Sequence, residues 1–84
     1  ISGVTATVHY QNKTLTQMNI TVTTQFFGYA QIESFSRLVL SAAKKYLPKD
    51  APIEIKINSV NDTQALIAKN SADDSYYVHV FGGE

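Results

Sequence analysis

His9 and His79 are the two imidazoles of this chain. Histidine is the side chain most often used to hold a metal or to move a proton near neutral pH. A zinc centre needs about four ligands, three of them from protein when the site is catalytic. The chain has no Cys, so carboxylates would have to complete the set, and no acidic residue shares a strand face with either His. The pair is therefore a poor metal site, and no cofactor is expected. A hydrolytic triad needs a nucleophile, a base and an orienting group in mutual reach. Here Ser and Asp fall in loops or on a helix, in no recognisable motif. A chain this short also offers little depth for a substrate cleft. The expectation is a protein that is not an enzyme.

What His79 does have is aromatic company. Tyr76-Tyr77-Val78-His79-Val80-Phe81 is β-branched and aromatic, and predicts a strand. Successive side chains alternate between faces. Tyr76, Val78 and Val80 thus share one face, and Tyr77, His79 and Phe81 share the other. Exposed aromatics are a chemistry of recognition, since they are enriched among interface hot spots.

Composition narrows the partners. The chain has 84 residues, expected to form one domain over 1–84. It is 44% hydrophobic and 17% charged, which argues against disorder. Seven basic and seven acidic residues cancel, so the basic field that drives phosphate-backbone binding is missing and nucleic acid is disfavoured. No apolar run is long enough to span a membrane, and no signal-peptide pattern is present. Lack of Cys excludes disulfides and thiolate chemistry. It fits a reducing cytosol, and equally many bacterial and phage surface proteins. The chain starts at Ile1 rather than Met, which fits a processed chain or part of a longer one. Asn12-Lys13-Thr14, Asn19-Ile20-Thr21 and Asn61-Asp62-Thr63 match the glycosylation acceptor pattern; the missing Cys speaks against a secretory setting for them.

The elements that must position the aromatics are legible from periodicity. Val4 to Tyr10 alternates, with Val4, Ala6, Val8 and Tyr10 on one face and Thr5, Thr7 and His9 on the other. After Gln11-Asn12-Lys13, Thr14 to Thr24 alternates again, with Met18, Ile20 and Val22 inward. Together these predict a β-hairpin. From about Ala30 the period becomes helical. Ile32, Phe35, Val39, Ala42 and Tyr46 recur at helical spacing, and Leu38 and Ala43 widen the stripe. Lys44 and Lys45 suit the C-terminal end of the helix dipole, and Pro48 ends the helix. Ile53 to Asn58 predicts a strand with three isoleucines on one face. Thr63 to Lys69 reads as a strand in preference to an isolated helical turn, which would be marginal. The Tyr76–Phe81 strand closes the series.

The predicted fold is α+β: a two-layer sandwich with an antiparallel or mixed sheet of four or five strands and one helix packed on one face, in the order ββαβ(β)β. Its core would hold Val4, Ala6, Val8, Met18, Ile20, Val22, Ile53, Ile55, Ile57, Val78 and Val80 against the helix stripe. The order of elements resembles the β-grasp architecture of ubiquitin-like and immunoglobulin-binding bacterial domains. That resemblance implies that the first and last strands are central neighbours. It would bring Thr7 and His9 beside Tyr77, His79 and Phe81 on the open face of the sheet.

Three functional expectations follow. The first is a small protein-binding module, an inhibitor, adaptor or accessory domain, using Tyr77, His79, Phe81, His9 and Thr7. Its partner would be another protein. The second is self-association: the Thr14–Thr24 strand has no Lys or Pro in its middle, and at a sheet edge it could pair with a second copy. The third is a carrier of different class. Gly82-Gly83 follows the last strand, and with β-grasp-like order it resembles the di-glycine end of ubiquitin-like modifiers and sulfur carriers, although Glu84 would have to be removed first.

Overall fold

A computed structural model describes residues 3–59, 62–70 and 76–81. The chain enters as a hairpin of β1 (Gly3–Gln11) and β2 (Thr14–Thr23). The Asn12-Lys13 link has φ of 53° and 68°. Two consecutive positive φ values are the pattern of a type I′ turn, whose twist matches that of the flanking strands. Gly28 then breaks the chain at φ 87° and opens α1 (Tyr29–Tyr46). The helix closes at Leu47, whose N–H donates to the Ala43 carbonyl, and Pro48 blocks another turn. Three strands follow: β3 (Ile53–Ser59), β4 (Asp62–Lys69) and β5 (Tyr77–Val80). The stretch from Thr63 to Lys69 is thus a strand, the reading preferred over a marginal isolated helical turn.

The five strands form one mixed sheet in the sequential order β1-β2-β3-β4-β5. Only β2 and β3 are parallel, because α1 carries the chain from one to the other. The fold is α+β with one helix on one face, as expected. The helix approaches β4 and β5 most closely. No helix among the described residues is long and apolar enough to cross a membrane.

Register aligns the side chains in rows across the sheet. On the helix side one row runs Val4, Val22, Ile57, Ala65, Val80, and the next runs Ala6, Ile20, Ile55, Ile67, Val78. The centre of these rows is the core: Val22, Ile53, Ile55, Ile57, Ala65 and Ile67 pack against Ile32, Phe35 and Ala43 of the helix. Lys69 lies buried at the margin, its Nζ donating to the Lys49 carbonyl at 2.8 Å with the Tyr76 ring 5.6 Å away.

Four expectations are corrected. First, β1 and β5 lie at opposite edges, so the first and last strands are not neighbours and the β-grasp likeness stops at element order. Second, β2 is not an edge strand, since it pairs with β1 and with β3. Third, Val4, Ala6, Val8 and Val78 face the helix side yet stay exposed. A helix is only about 10 Å wide, while five strands span about 19 Å between outer axes. One helix therefore leaves the β1 row bare, and at the β5 edge it leaves Val78 on the wall of an open groove with Tyr29, Glu33, Arg37 and Leu40. Fourth, the buried helix stripe is rotated from the predicted one. Ser36 is fully buried and Leu40 half-buried, whereas Leu38, Ala42 and Tyr46 are exposed. Ser36 is tolerated there because its hydroxyl donates back to the Ile32 carbonyl at 2.7 Å.

Candidate functional site

The face of the sheet opposite the helix carries its own rows. One runs Thr7, Asn19, Glu54, Ala68, Tyr77; the next runs Thr5, Thr21, Lys56, Leu66, His79. Each row is polar from β1 to β3 and turns apolar or aromatic at β4 and β5. The change follows from β4, which is apolar on both faces: Ala65 and Ile67 go to the core, Leu66 and Ala68 to the open side.

At the β5 end, His79 and Phe81 form an edge-to-face pair with ring centroids 4.6 Å apart. The Phe81 N–H donates to the Gln64 carbonyl at 2.9 Å, which extends the β4–β5 ladder past Val80 and fixes the Phe81 side. Tyr77 is 50% exposed and Phe81 42% exposed. Ala68, opposite Tyr77, is buried on this otherwise open face. The aromatics thus lie partly over β4 and partly in solvent. Tyr77, His79 and Phe81 come together as read from the sequence. Leu66 and Ala68 complete the patch and were missed, because the face of β4 cannot be assigned until its register with β5 is known.

Thr7 and His9 are on the same face but on β1, at the far edge, about 19 Å from β5 across four interstrand spacings. His9 sits in a polar net instead. Its Nε2 lies 3.4 Å from the Asn19 side-chain nitrogen, Asn19 accepts from Gln17, and the His9 carbonyl accepts from Thr16. The five predicted residues therefore form two sites, not one. Among the described residues no three His, Asp or Glu side chains gather as a metal site. Gly82 and Gly83 lie outside the described residues.

Two of the concave features beside the helix are lined by strands as well. One, about 180 Å³, is lined by Tyr29, Glu33, Arg37 and Leu40 of α1 and by Val78 and Val80 of β5. The other, about 160 Å³, lies between α1 and β2 and is lined by Val39, Ala42, Tyr46, Ile20, Val22 and Ile55, among others. The second borders the exposed helix-side row of β1.

Comparison with known proteins gives a consistent answer. Residues 1–75 match the family model described as CamS sex pheromone cAM373 precursor. Among solved structures, the sex pheromone precursor from Lactobacillus salivarius subsp. salivarius UCC118 is 40% identical, with a TM-score of 0.84; the match covers 96% of this chain and 25% of that one. The C-terminal domain of sex pheromone staph-cAM373 precursor from Staphylococcus aureus is 25% identical, with a TM-score of 0.85, over 95% of this chain and 25% of that one. A further structure of sex pheromone staph-cAM373 precursor shares the fold at 24% identity and a TM-score of 0.85, over 94% of this chain and 28% of that one. The chain thus spans about a quarter of the length of the solved proteins it matches. No curated protein sequence matches it.

Proposed function

The chain belongs to the CamS sex pheromone cAM373 precursor family, and from that premise we propose that it is a non-catalytic domain of such a precursor that binds another protein. The contact surface is the β5 end of the open sheet face. The observation that carries this reading is the aromatic patch: Tyr77, His79 and Phe81 stand exposed beside Leu66 and Ala68, whereas the face from β1 to β3 is mainly Thr, Asn, Gln, Glu and Lys. Rigid rings with a polar tip give large contact area at small entropic cost, which is why such residues dominate binding energy. Net charge of zero and the paired signs of Glu54 and Lys56 favour an apolar partner surface over a polyanion. Thr7 and His9 would touch the same partner only if it spans the full width of the sheet, about 19 Å.

A photoreactive amino acid placed at position 77, with a matched control at Thr21 on the same face, tests this in the source cells. The expected result is one protein adduct from position 77, none from the control, and loss of the adduct on Phe81→Ala while the circular dichroism spectrum is unchanged. Equal adducts from both positions, or none from either, would sink the proposal.

A further inference from the structure

The other end of the sheet has a different character. β1 is an edge strand of nine residues, Gly3–Gln11, without Lys, Arg, Asp, Glu or Pro, and exposed along its whole length. Edge strands in natural proteins are ordinarily blunted by being short, by Lys or Pro, or by a cover, since a bare row of backbone donors and acceptors templates pairing. β5, the other edge, follows that practice at four residues. β1 does not. Its helix-side row is apolar as well: Val4 is 59% exposed and Val8 39% exposed. The β2 partners of this row, Val22 and Ile20, line the groove between β2 and α1, where Tyr46 stands 73% exposed. The backbone edge and the strand face are both uncovered, and the groove lies one strand further in on the same side of the sheet.

We infer that β1 is an interior strand in the family's longer chains. An uncharged, β-branched-rich strand from elsewhere in the same polypeptide pairs along Gly3–Gln11. Apolar side chains of that flanking segment fill the groove beside Tyr46. The occupant is assigned to the same polypeptide on chain length. The solved relatives devote about three quarters of their residues to other parts, and the matched region is a quarter. A tethered segment acts at an effective concentration in the millimolar range, which a second copy does not reach without a dedicated interface. The surface asks for no charge, and pairing along a strand supplies affinity through the main chain, with alternate side chains setting specificity. This surface is separate from the aromatic patch, so the two readings stand or fall independently.

Residue-resolved hydrogen exchange on the full gene product is the test. In β1 every second amide bonds to β2, and the alternate set faces outward. The expected result is that the outward amides of Gly3–Gln11 exchange at least 100-fold slower than free amides, at all protein concentrations. Ala6→Lys, which puts a charge on the covered face, should restore fast exchange to that set while amides of β3 and β4 stay protected. Outward amides that exchange freely in the wild-type product would overturn the inference, because β1 is then a true edge. Protection that vanishes on dilution would overturn it too, because the occupant is then a second copy.

Discussion

Val4 and Ile57 lie in the same cross-sheet row, two strands apart, and truncating each to Ala measures how far the helix covers the sheet. Ile57 is fully buried. Ile57→Ala removes three carbons, which at about 0.8 kcal/mol each is roughly 2.4 kcal/mol of transfer energy. The cavity left under α1 raises the total to about 3–4 kcal/mol. Val4→Ala removes two carbons from a side chain that is 59% exposed, which leaves only about 0.6 kcal/mol. A domain of this size holds about 4–13 kcal/mol in all, so the first change consumes much of it and the second little. In melting temperature the two correspond to losses of about 12–30 °C and about 2–5 °C. Urea titration of the 84-residue chain, followed by far-ultraviolet circular dichroism, gives both values against wild type. Equal losses, within about 0.5 kcal/mol, would refute the reasoning, because the β1 row would then be as covered as the β3 row. If β1 gains a neighbour in the longer polypeptide, the Val4→Ala loss should rise there while the Ile57→Ala loss stays.

Three further outcomes are expected. Gly28→Ala should cost about 1–3 kcal/mol by strain alone, since φ is 87° and an added Cβ meets nothing within 4 Å; thermal melts check it, and a neutral result would mean the backbone relaxes. Lys13→Gly should stabilise the chain by about 0.5–1 kcal/mol, because a side chain is held at φ 68° in a turn where Gly is favoured, and chemical denaturation reads the sign. Lys69→Ala should cost about 2–4 kcal/mol through the cavity left by a buried side chain and the loss of its hydrogen bond to the Lys49 carbonyl, whereas Lys56→Ala on the open face stays within about 0.5 kcal/mol; parallel urea titrations compare them.

How much of this was legible follows from what each signal encodes. Alternation located β1, β2 and β3, β-branched and aromatic composition located β5, and the 3.6-residue period with Pro48 located the helix, because all report the local backbone; β4, apolar on both faces, was reached only by rejecting a marginal helical turn. The division of Tyr76–Phe81 into two faces held for the same reason: Tyr76 and Val80 pack against the core, and Tyr77, His79 and Phe81 face away. Strand order is not a local property. Nothing in Val4–Tyr10 says whether its neighbour is β2 alone or β2 and β5, and the order decides whether His9 meets His79. Coverage is not local either. Val4, Ala6 and Val8 alternate as a buried strand does, but the helix is spent over β3 to β5. Helix rotation failed by one position because Ser36 reads as polar in sequence, while its back-bonded hydroxyl makes it small and satisfied in the core. Leu66 and Ala68 were lost with the register of β4.

The two uncovered ends of the sheet have a common origin. A single helix over the middle and the β5 side leaves the helix face bare at β1, and leaves the opposite face bare everywhere. Evolution could have made both bare regions polar. The centre of the open face is: Thr21, Asn19, Glu54 and Lys56 need no cover. The β1 underside and the β5 aromatics are not, although Thr or Lys at those positions would serve a free surface better. The β1 underside and the β5 aromatics lie on opposite faces at opposite edges of the sheet, so the two regions do not touch and their energies should add independently. In our proposal β1 meets another part of the same polypeptide and the β5 aromatics meet a separate protein. The division of chemistry fits that need. Backbone pairing with apolar cover suits a permanent internal junction, where no release is required. Half-exposed rings on a polar field suit a surface that must also stand alone in water. We therefore propose the internal junction at β1 and recognition at Tyr77, His79 and Phe81.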